Sequence, residues 1–189
     1  MDTVLFNKIT PELDIERISS RWQVRKSSPF YEEIEETREY AAKLMTPKAI
    51  IRRIGECKID EMGVEIDNIR LNSPSLAEIL KDSPAAYLYA ATGGERPEDK
   101  EEVVFDSLWS MYLGDAIFSA IDRAREYAQN DSSRPVAFAN PGDIEDWALS
   151  ENGKILELLG DIPALLGVSA GEEGLLRPLD SVCGIFYAK

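Results

Sequence analysis

The chain has 189 residues, of which 44% are hydrophobic and 8% aromatic, a composition typical of a folded domain rather than a disordered chain. Its 35 acidic residues outnumber its 21 basic residues and give a net charge of −14, which argues against nucleic acid and anionic membranes as partners. The absence of histidine excludes histidine-based catalysis, and with only two cysteines, Cys57 and Cys183, the sequence argues against a protein metal site.

No segment approaches the roughly 20 apolar residues that a membrane-spanning helix needs. The first residues, MDTVLFNKITPELDIERI, carry acids from the second position and lack the layout of a signal peptide. Both cysteines lie in apolar surroundings that are typical of reduced, buried thiols. We therefore expect a cytoplasmic protein.

The first predicted element is a helix that follows Ser28, with Pro29 at its first position. The isoleucine-rich segment AIIRRIGECKIDEMGVEIDNIRL then predicts two strands joined by a short turn, with a bulge near Asn68. SPSLAEILKD predicts a short capped helix, and PAAYLYAATGG predicts a buried strand that ends at a Gly-Gly turn. The next segment, ERPEDKEE, is typical of a solvated loop or the start of a helix.

The longest helical pattern covers residues 107–130, where alanine and larger apolar residues form one continuous stripe. RPVAFA then predicts a strand, SENGKILELLG a helix capped by Ser150 and ended by Gly160, and ALLGVSA and SVCGIFYA two final strands. Because strands and helices do not alternate strictly, the sequence predicts an α+β fold with a mixed or antiparallel sheet packed against long helices. We expect a single domain whose N-terminal helical segment, about 1–47, packs on a core formed by 48–189.

Residues 139–161, ANPGDIEDWALSENGKILELLGD, place a tight turn directly before a predicted helix. Pro141 and Gly142 expose backbone donors and acceptors, and Trp147 offers a flat apolar face, which together suit a planar cofactor. The alternative is a structural turn anchored by a core tryptophan, and the residues alone favour neither. Glu126, near the end of the long helix, is either a further site residue or a solvent-facing ion-pair partner.

The C-terminal half of the sequence resembles the activation (S-adenosylmethionine-binding) domain of cobalamin-dependent methionine synthase and its small stand-alone relatives. The family's Pro-Gly turn, Asp-Trp pair, leucine-rich helix and GV strand are similar to Pro141-Gly142, Asp146-Trp147, residues 149–159 and Gly167-Val168. The ending P-x-x-S-V-S-G is similar to residues 178–184, and the segment AAYLYAATGGE and the long alanine-rich helix also look like their counterparts. The resemblance covers residues 84–189 well and the first third only loosely.

The resemblance implies a protein that docks on a corrinoid-carrying partner and assists its reductive methylation, with S-adenosylmethionine as methyl donor. Cobalamin would be carried by the partner, a corrinoid-binding protein or a split methionine synthase. The chain would then be an accessory component of a cobalamin-dependent methyltransferase, to which no catalytic residue is assigned. The alternative is a non-catalytic interaction module that kept the fold and lost S-adenosylmethionine binding. A homo-oligomer is compatible with both.

The family's ligand motif, Arg-x-x-x-Gly-Tyr, is altered in this sequence. Counting from Gly142, the arginine position holds Phe138 and the tyrosine position holds Asp143. Arg134 lies four residues too early and would serve only with a local insertion. The loss of an arginine that pairs with the ligand carboxylate predicts weak S-adenosylmethionine binding. The candidate cofactor-binding residues implied by the resemblance are Glu126, Arg134, Pro141, Gly142, Asp143 and Trp147.

Overall fold

The computed structural model describes residues 3–94 and 103–189. Its first half contains β1 (Thr3–Phe6), α1 (Ile15–Arg21), α2 (Pro29–Leu44), β2 (Lys48–Arg53), β3 (Cys57–Asp60), β4 (Gly63–Ile66), β5 (Ile69–Asn72), α3 (Pro74–Lys81) and β6 (Ala86–Thr92). Its second half contains α4 (Val103–Ser132), β7 (Val136–Ala139), a 3₁₀ turn (Leu149–Glu151), α5 (Asn152–Leu159), α6 (Ile162–Leu166), β8 (Ser169–Ala170), β9 (Leu176–Arg177) and β10 (Ser181–Ala188).

The main sheet has five strands in the order β1-β2-β6-β10-β7, and every neighbouring pair is antiparallel. The C-terminal strand β10 is therefore internal, with β7 as one edge strand and β1 as the other. Strands β3, β4 and β5 form a separate antiparallel sheet, and β8 pairs with β9. The predicted α+β class with an antiparallel sheet is confirmed.

Helix α4 packs on one face of the main sheet through a stripe of small side chains. Ala120, Ala124 and Ala128 are fully buried against a layer that includes Tyr89 and Phe186. Because alanine side chains are short, the helix axis approaches the sheet closely along this stripe. The other face of the main sheet is covered by α5 and α6. Together with α3, which packs on β3 and β4, these helices enclose a second apolar core that includes Trp147. The predicted packing of the long helix on a sheet is confirmed.

Local sequence signals explain where several helices begin. The Ser28 hydroxyl accepts a hydrogen bond from the Phe30 amide, and Pro29 occupies the first turn of α2. Helix α3 is capped by Ser73, whose hydroxyl accepts from the Leu76 amide. The expected cap of α5 is wrong: Ser150 lies inside the 3₁₀ turn that precedes the helix, so it has no free capping position.

Three predictions, in two strand-rich segments, differ from the structure. The segment from residue 49 to residue 71 forms four strands, and the expected bulge near Asn68 is a hairpin turn between β4 and β5. Asp67 and Asn68 both have positive φ, 49° and 66°, and two such residues in succession are typical of a tight hairpin. ALLGVSA begins as helix α6, because the Asp161 carboxylate accepts from the Ala164 amide and caps it.

Strand β1 and helices α1 and α2 lie within the N-terminal segment, about 1–47, that was expected to be helical, and β1 joins the main sheet as an edge strand. The segment ERPEDKEE lies outside the described residues. Within the described part of the chain, no helix combines the length and apolar character that crossing a membrane requires.

Candidate functional site

The Pro-Gly turn leaves edge strand β7 and closes on its own backbone. The Gly142 amide donates to the Trp147 carbonyl at 2.7 Å, and the Asp143 amide donates to the Asn140 carbonyl at 3.1 Å. Gly142 has a φ of 89°, a conformation that L side chains rarely adopt, so glycine suits this position. These bonds hold residues 140–147 as one compact loop beside the end of the sheet.

Asn140 ties this loop to the interior of the sheet. Its side-chain oxygen accepts from the Tyr89 hydroxyl at 2.6 Å, and its amide nitrogen donates to the Asp143 carboxylate at 2.7 Å. Burial raises the pKa of Tyr89, so this hydroxyl stays protonated and serves as a donor. Gly184 on β10 makes the approach possible, since a β-carbon there would lie 2.3 Å from the Asn140 side-chain oxygen.

Neither Asn140 nor Tyr89 was singled out by the sequence as a site residue. The only sequence signal was the position of Asn140 directly before Pro141. Its partner Tyr89 is 51 positions away and looks like an ordinary buried strand residue. The contact depends on the pairing of β6 with β10 and of β10 with β7, which a local pattern does not reveal.

Asp146 and Trp147 have structural roles. The Asp146 carboxylate accepts from the Ser73 hydroxyl at 2.7 Å and from the Ser75 amide and hydroxyl, both at 2.9 Å. These hydrogen bonds lower the pKa of Asp146 and fix the loop to the start of α3. Trp147 is fully buried in the core and lines no cleft beside the turn. Of the two alternatives that the sequence left open for this turn, the structural turn anchored by a core tryptophan is the one observed.

An open cleft of about 230 Å³ lies beside the turn and is called the turn cleft below. Its polar lining comes partly from the turn, through Asn140 and Asp143, and its apolar lining comes mainly from leucines. The lining residues are Asn140, Pro141, Asp143, Leu149, Asn152, Leu175, Leu176, Leu179, Ser181, Val182 and Cys183. Asp143 is the only charged residue among them, so the cleft offers apolar surface, neutral hydrogen-bonding groups and one negative charge.

Cys183 does not supply a nucleophile to this cleft. It is buried, and burial raises its pKa to about 12. Its sulfur lies 3.2 Å from the Asn152 side-chain oxygen, which suits a neutral thiol that donates a hydrogen bond. The reactivity expected of a thiolate is therefore absent at neutral pH.

Glu126 lies far from the turn, which contradicts its grouping with the turn residues. It lines a separate groove of about 490 Å³ between residues 8–12 and α4, and it pairs with Arg123 at 3.2 Å. Arg123 in turn lies over the ring of Phe6 on β1, whereas the turn follows β7 at the opposite edge of the sheet. Four strand spacings separate these edges, about 19 Å at roughly 4.8 Å each. Of the alternatives that the sequence left open for Glu126, the exposed ion pair is the one observed.

Arg134 is also separated from the turn. It precedes β7, and its guanidinium donates to the carbonyl of Lys189 at 3.4 Å. Strand β7 pairs with β10 in continuous register from Val136 to Ala139, so the required local insertion is absent. The four residues of β7 alone span about 13 Å, and Arg134 lies two positions before the first of them. The structure thus contradicts the idea that a displaced Arg134 serves the turn.

Phe138, at the position where the resemblance implies an arginine, is 52% exposed. It pairs with Phe186 and so lies on the face of the sheet that carries α4. Neither Phe138 nor Arg134 brings a positive charge to the turn cleft. Among the described residues that line the turn cleft there is no cation for the carboxylate of S-adenosylmethionine, so this lining fits the adenosyl part better than the amino-acid part.

No protein-family model matches the sequence, and no curated protein is matched by sequence. The structure resembles a solved one, the crystal structure of the MetH reactivation domain bound to AdoHcy, with a TM-score of 0.70. The match covers 100% of this chain and 78% of that chain, at 12% sequence identity. At this identity the likeness shows the fold alone. The protein is thus an α+β protein with the fold of the MetH reactivation domain, and the resemblance stated from the sequence is confirmed at that level.

Proposed function

We propose that the protein is an accessory component of the methionine synthase type, which docks on a corrinoid-carrying partner and assists the reductive methylation of its cobalamin. The observation that carries this proposal is the fold, which matches the MetH reactivation domain along the whole chain. The Pro141-Gly142 turn adds support, because backbone hydrogen bonds close it and it borders a cleft.

The residues of this chain would position a ligand rather than react with it. Asn140 holds the turn in place, and Pro141 lines the cleft, where it can contact a flat ring. Asp143 adds a carboxylate that can accept a ribose hydroxyl or attract a sulfonium charge. When bound, S-adenosylmethionine supplies the methyl group, and an external reductant supplies the electron that cob(II)alamin requires.

Exposed leucines around the turn cleft suit a contact with the partner. Leu149, Leu175 and Leu179 are 39%, 49% and 70% exposed, although apolar side chains of this size are usually buried. A group of such side chains is typical of an interaction surface. The net charge of −14 would add attraction toward a basic partner face.

A non-catalytic interaction module is the second candidate function. Within residues 3–94 and 103–189, no cation lines the turn cleft, and this favours the interaction module because the ligand carboxylate then lacks its partner. Such a module would dock on the corrinoid protein and modulate its access or stability without delivering a methyl group.

Docking can be tested with the corrinoid-binding portion of a cobalamin-dependent methionine synthase, loaded with cob(II)alamin. We expect co-elution with this protein on gel filtration at low salt and weaker association at high salt. Leu175→Asp should weaken the complex, whereas Leu44→Asp, at a comparably exposed position (45%) on α2, should not.

Methylation is then tested by adding S-adenosylmethionine and titanium(III) citrate to the complex and following the cob(II)alamin absorbance. Faster formation of methylcobalamin than with the corrinoid protein alone supports the accessory function. A stable complex without acceleration favours the interaction module. No complex with this protein or with other corrinoid proteins would refute both.

A further inference from the structure

We infer that the turn cleft selects an adenine nucleoside whose sulfur-bearing end has no carboxylate. The adenosyl part of this ligand class rests on the proposed function. The selection against a carboxylate rests on the charges and the size of the cleft itself.

Asp143 carries the charge that decides this selection. One of its carboxylate oxygens accepts from the Asn140 amide, which is neutral and leaves the negative charge uncompensated. Within residues 3–94 and 103–189, the recorded ion pairs of lysine and arginine do not include Asp143. A second carboxylate placed in the cleft would therefore meet repulsion, and a sulfonium or an amine would meet attraction.

The basic residue nearest to the lining along the chain is Arg177, which is exposed and is not part of the lining. It follows Leu176, a buried lining residue on the same short strand. Since successive strand residues point to opposite sides, Leu176 faces the cleft and Arg177 faces away. Arg177 is therefore not positioned to replace the missing carboxylate partner.

The size of the cleft points the same way. Its volume of about 230 Å³ lies below the roughly 300–1,000 Å³ that is common for sites of drug-sized ligands. Leucines and Pro141 provide apolar surface for a ring, and Asn140 and Asp143 provide polar groups at one edge. A nucleoside with a short sulfur substituent fits such a space better than one with a full amino-acid chain.

The expected discrimination follows from Coulomb's law. A ligand carboxylate about 6 Å from Asp143, at an effective dielectric constant of about 40, would lose roughly tenfold in affinity. Decarboxylated S-adenosylmethionine keeps the sulfonium and the amine and lacks only this carboxylate. Comparing it with S-adenosylmethionine isolates the effect of that single group.

The test is titration calorimetry of the full chain with S-adenosylmethionine, decarboxylated S-adenosylmethionine and 5′-methylthioadenosine. We expect decarboxylated S-adenosylmethionine to bind about tenfold more tightly than S-adenosylmethionine, and also more tightly than 5′-methylthioadenosine, which lacks the sulfonium and the amine that Asp143 attracts. Asp143→Asn should reduce the ratio between the affinity for decarboxylated S-adenosylmethionine and the affinity for S-adenosylmethionine. Glu145→Gln, which removes an exposed charge of the same loop outside the lining, should leave it unchanged.

A charge placed on the rim provides the converse test. Leu179→Lys adds a cation at a 70% exposed lining position. It should raise the affinity for S-adenosylmethionine relative to the affinity for the decarboxylated compound. Leu165→Lys, at a 39% exposed position on α6 outside the lining, is its matched control. If the unaltered chain bound S-adenosylmethionine as tightly as decarboxylated S-adenosylmethionine, or more tightly, the inference would be overturned. The docking result would not be affected. Absence of binding by all three compounds would overturn it as well, whereas failure of docking alone would bear only on the proposed function.

Discussion

The Tyr89 hydroxyl donates a hydrogen bond of 2.6 Å to the side-chain oxygen of Asn140, and this contact joins the Pro-Gly turn to an inner strand of the main sheet. The same Asn140 amide group holds the Asp143 carboxylate at 2.7 Å. The conformation of the turn, and the direction of the charge beside the cleft, therefore depend on a residue from the interior of the protein.

Tyr89→Phe should lower the free energy of unfolding by about 1–3 kcal/mol, the usual cost of leaving a buried acceptor unsatisfied. The ring itself should stay in place, because it stacks on Phe186 at 4.1 Å. Urea denaturation measures the loss. Tyr187→Phe is the matched control, since within the described residues no hydrogen bond of its hydroxyl is recorded and it is only partly buried. Equal losses for the two variants would show that the bond to Asn140 adds no stability.

Gly184→Ala should destabilise the protein, because the added β-carbon would lie 2.3 Å from the Asn140 side-chain oxygen and 2.4 Å from the Ala139 carbonyl. We expect a loss of about 1–3 kcal/mol, as is common for overpacking. Gly153→Ala on α5 should instead stabilise the protein, since its β-carbon would lie 4.0 Å from Ala170 and alanine favours a helix. Thermal unfolding of both variants gives the comparison. A stable Gly184→Ala variant would mean that Asn140 can move away from β10.

The features that the sequence predicted well depend only on a local pattern of residues. The alanine stripe at residues 120, 124 and 128 required a close approach to the sheet, and the Pro141-Gly142 pair required a turn. The features that it missed depend on strand order. Because β10 lies between β6 and β7, Tyr89 meets Asn140, and because β1 and β7 are opposite edges, Glu126 is separated from the turn. The periodicity of one segment does not indicate which distant strands will pair.

Asp146→Asn should destabilise the protein at neutral pH and less so in acid. Hydrogen bonds from Ser73 and Ser75 lower the pKa of Asp146 in the folded protein below the 3.8 expected without them. The carboxylate therefore contributes stability above about pH 4, and this contribution is lost as the pH falls through the lowered pKa. Urea denaturation of both proteins from pH 7 to pH 2 tests this. Glu145→Gln controls for the change in net charge. If the difference in unfolding free energy between the unaltered protein and Asp146→Asn grew in acid, the stabilising role of the Asp146 carboxylate would be contradicted.

Asp115→Asn should loosen the N-terminal segment from α4. The Asp115 carboxylate accepts from the Asp14 amide at 3.0 Å and from the Arg17 guanidinium at 2.6 Å, and its side chain is 10% exposed. Hydrogen bonds to charged groups are worth about 1.5–3 kcal/mol, and the partial exposure of Arg17 favours the lower end of this range. Hydrogen exchange should quicken in α1. Asp122→Asn, which removes an exposed pair with Arg125, should leave α1 protected.

Phe138→Arg should raise the affinity for S-adenosylmethionine, because it restores an arginine at the position that the resemblance implies. A charge-assisted hydrogen bond of about 1.5–3 kcal/mol corresponds to roughly one to two decades in affinity. Phe138 is 52% exposed, so the substitution should not disturb the core. Phe118→Arg adds the same charge at a 63% exposed position on α4 and controls for a general electrostatic effect.

Arg134→Ala should leave the affinity for S-adenosylmethionine unchanged, since Arg134 lies at the other end of β7. Calorimetry on the three variants decides between these expectations. If Arg134→Ala abolished binding, the displaced arginine would serve the ligand after all, and the separation of Arg134 from the turn would have to close when the ligand binds.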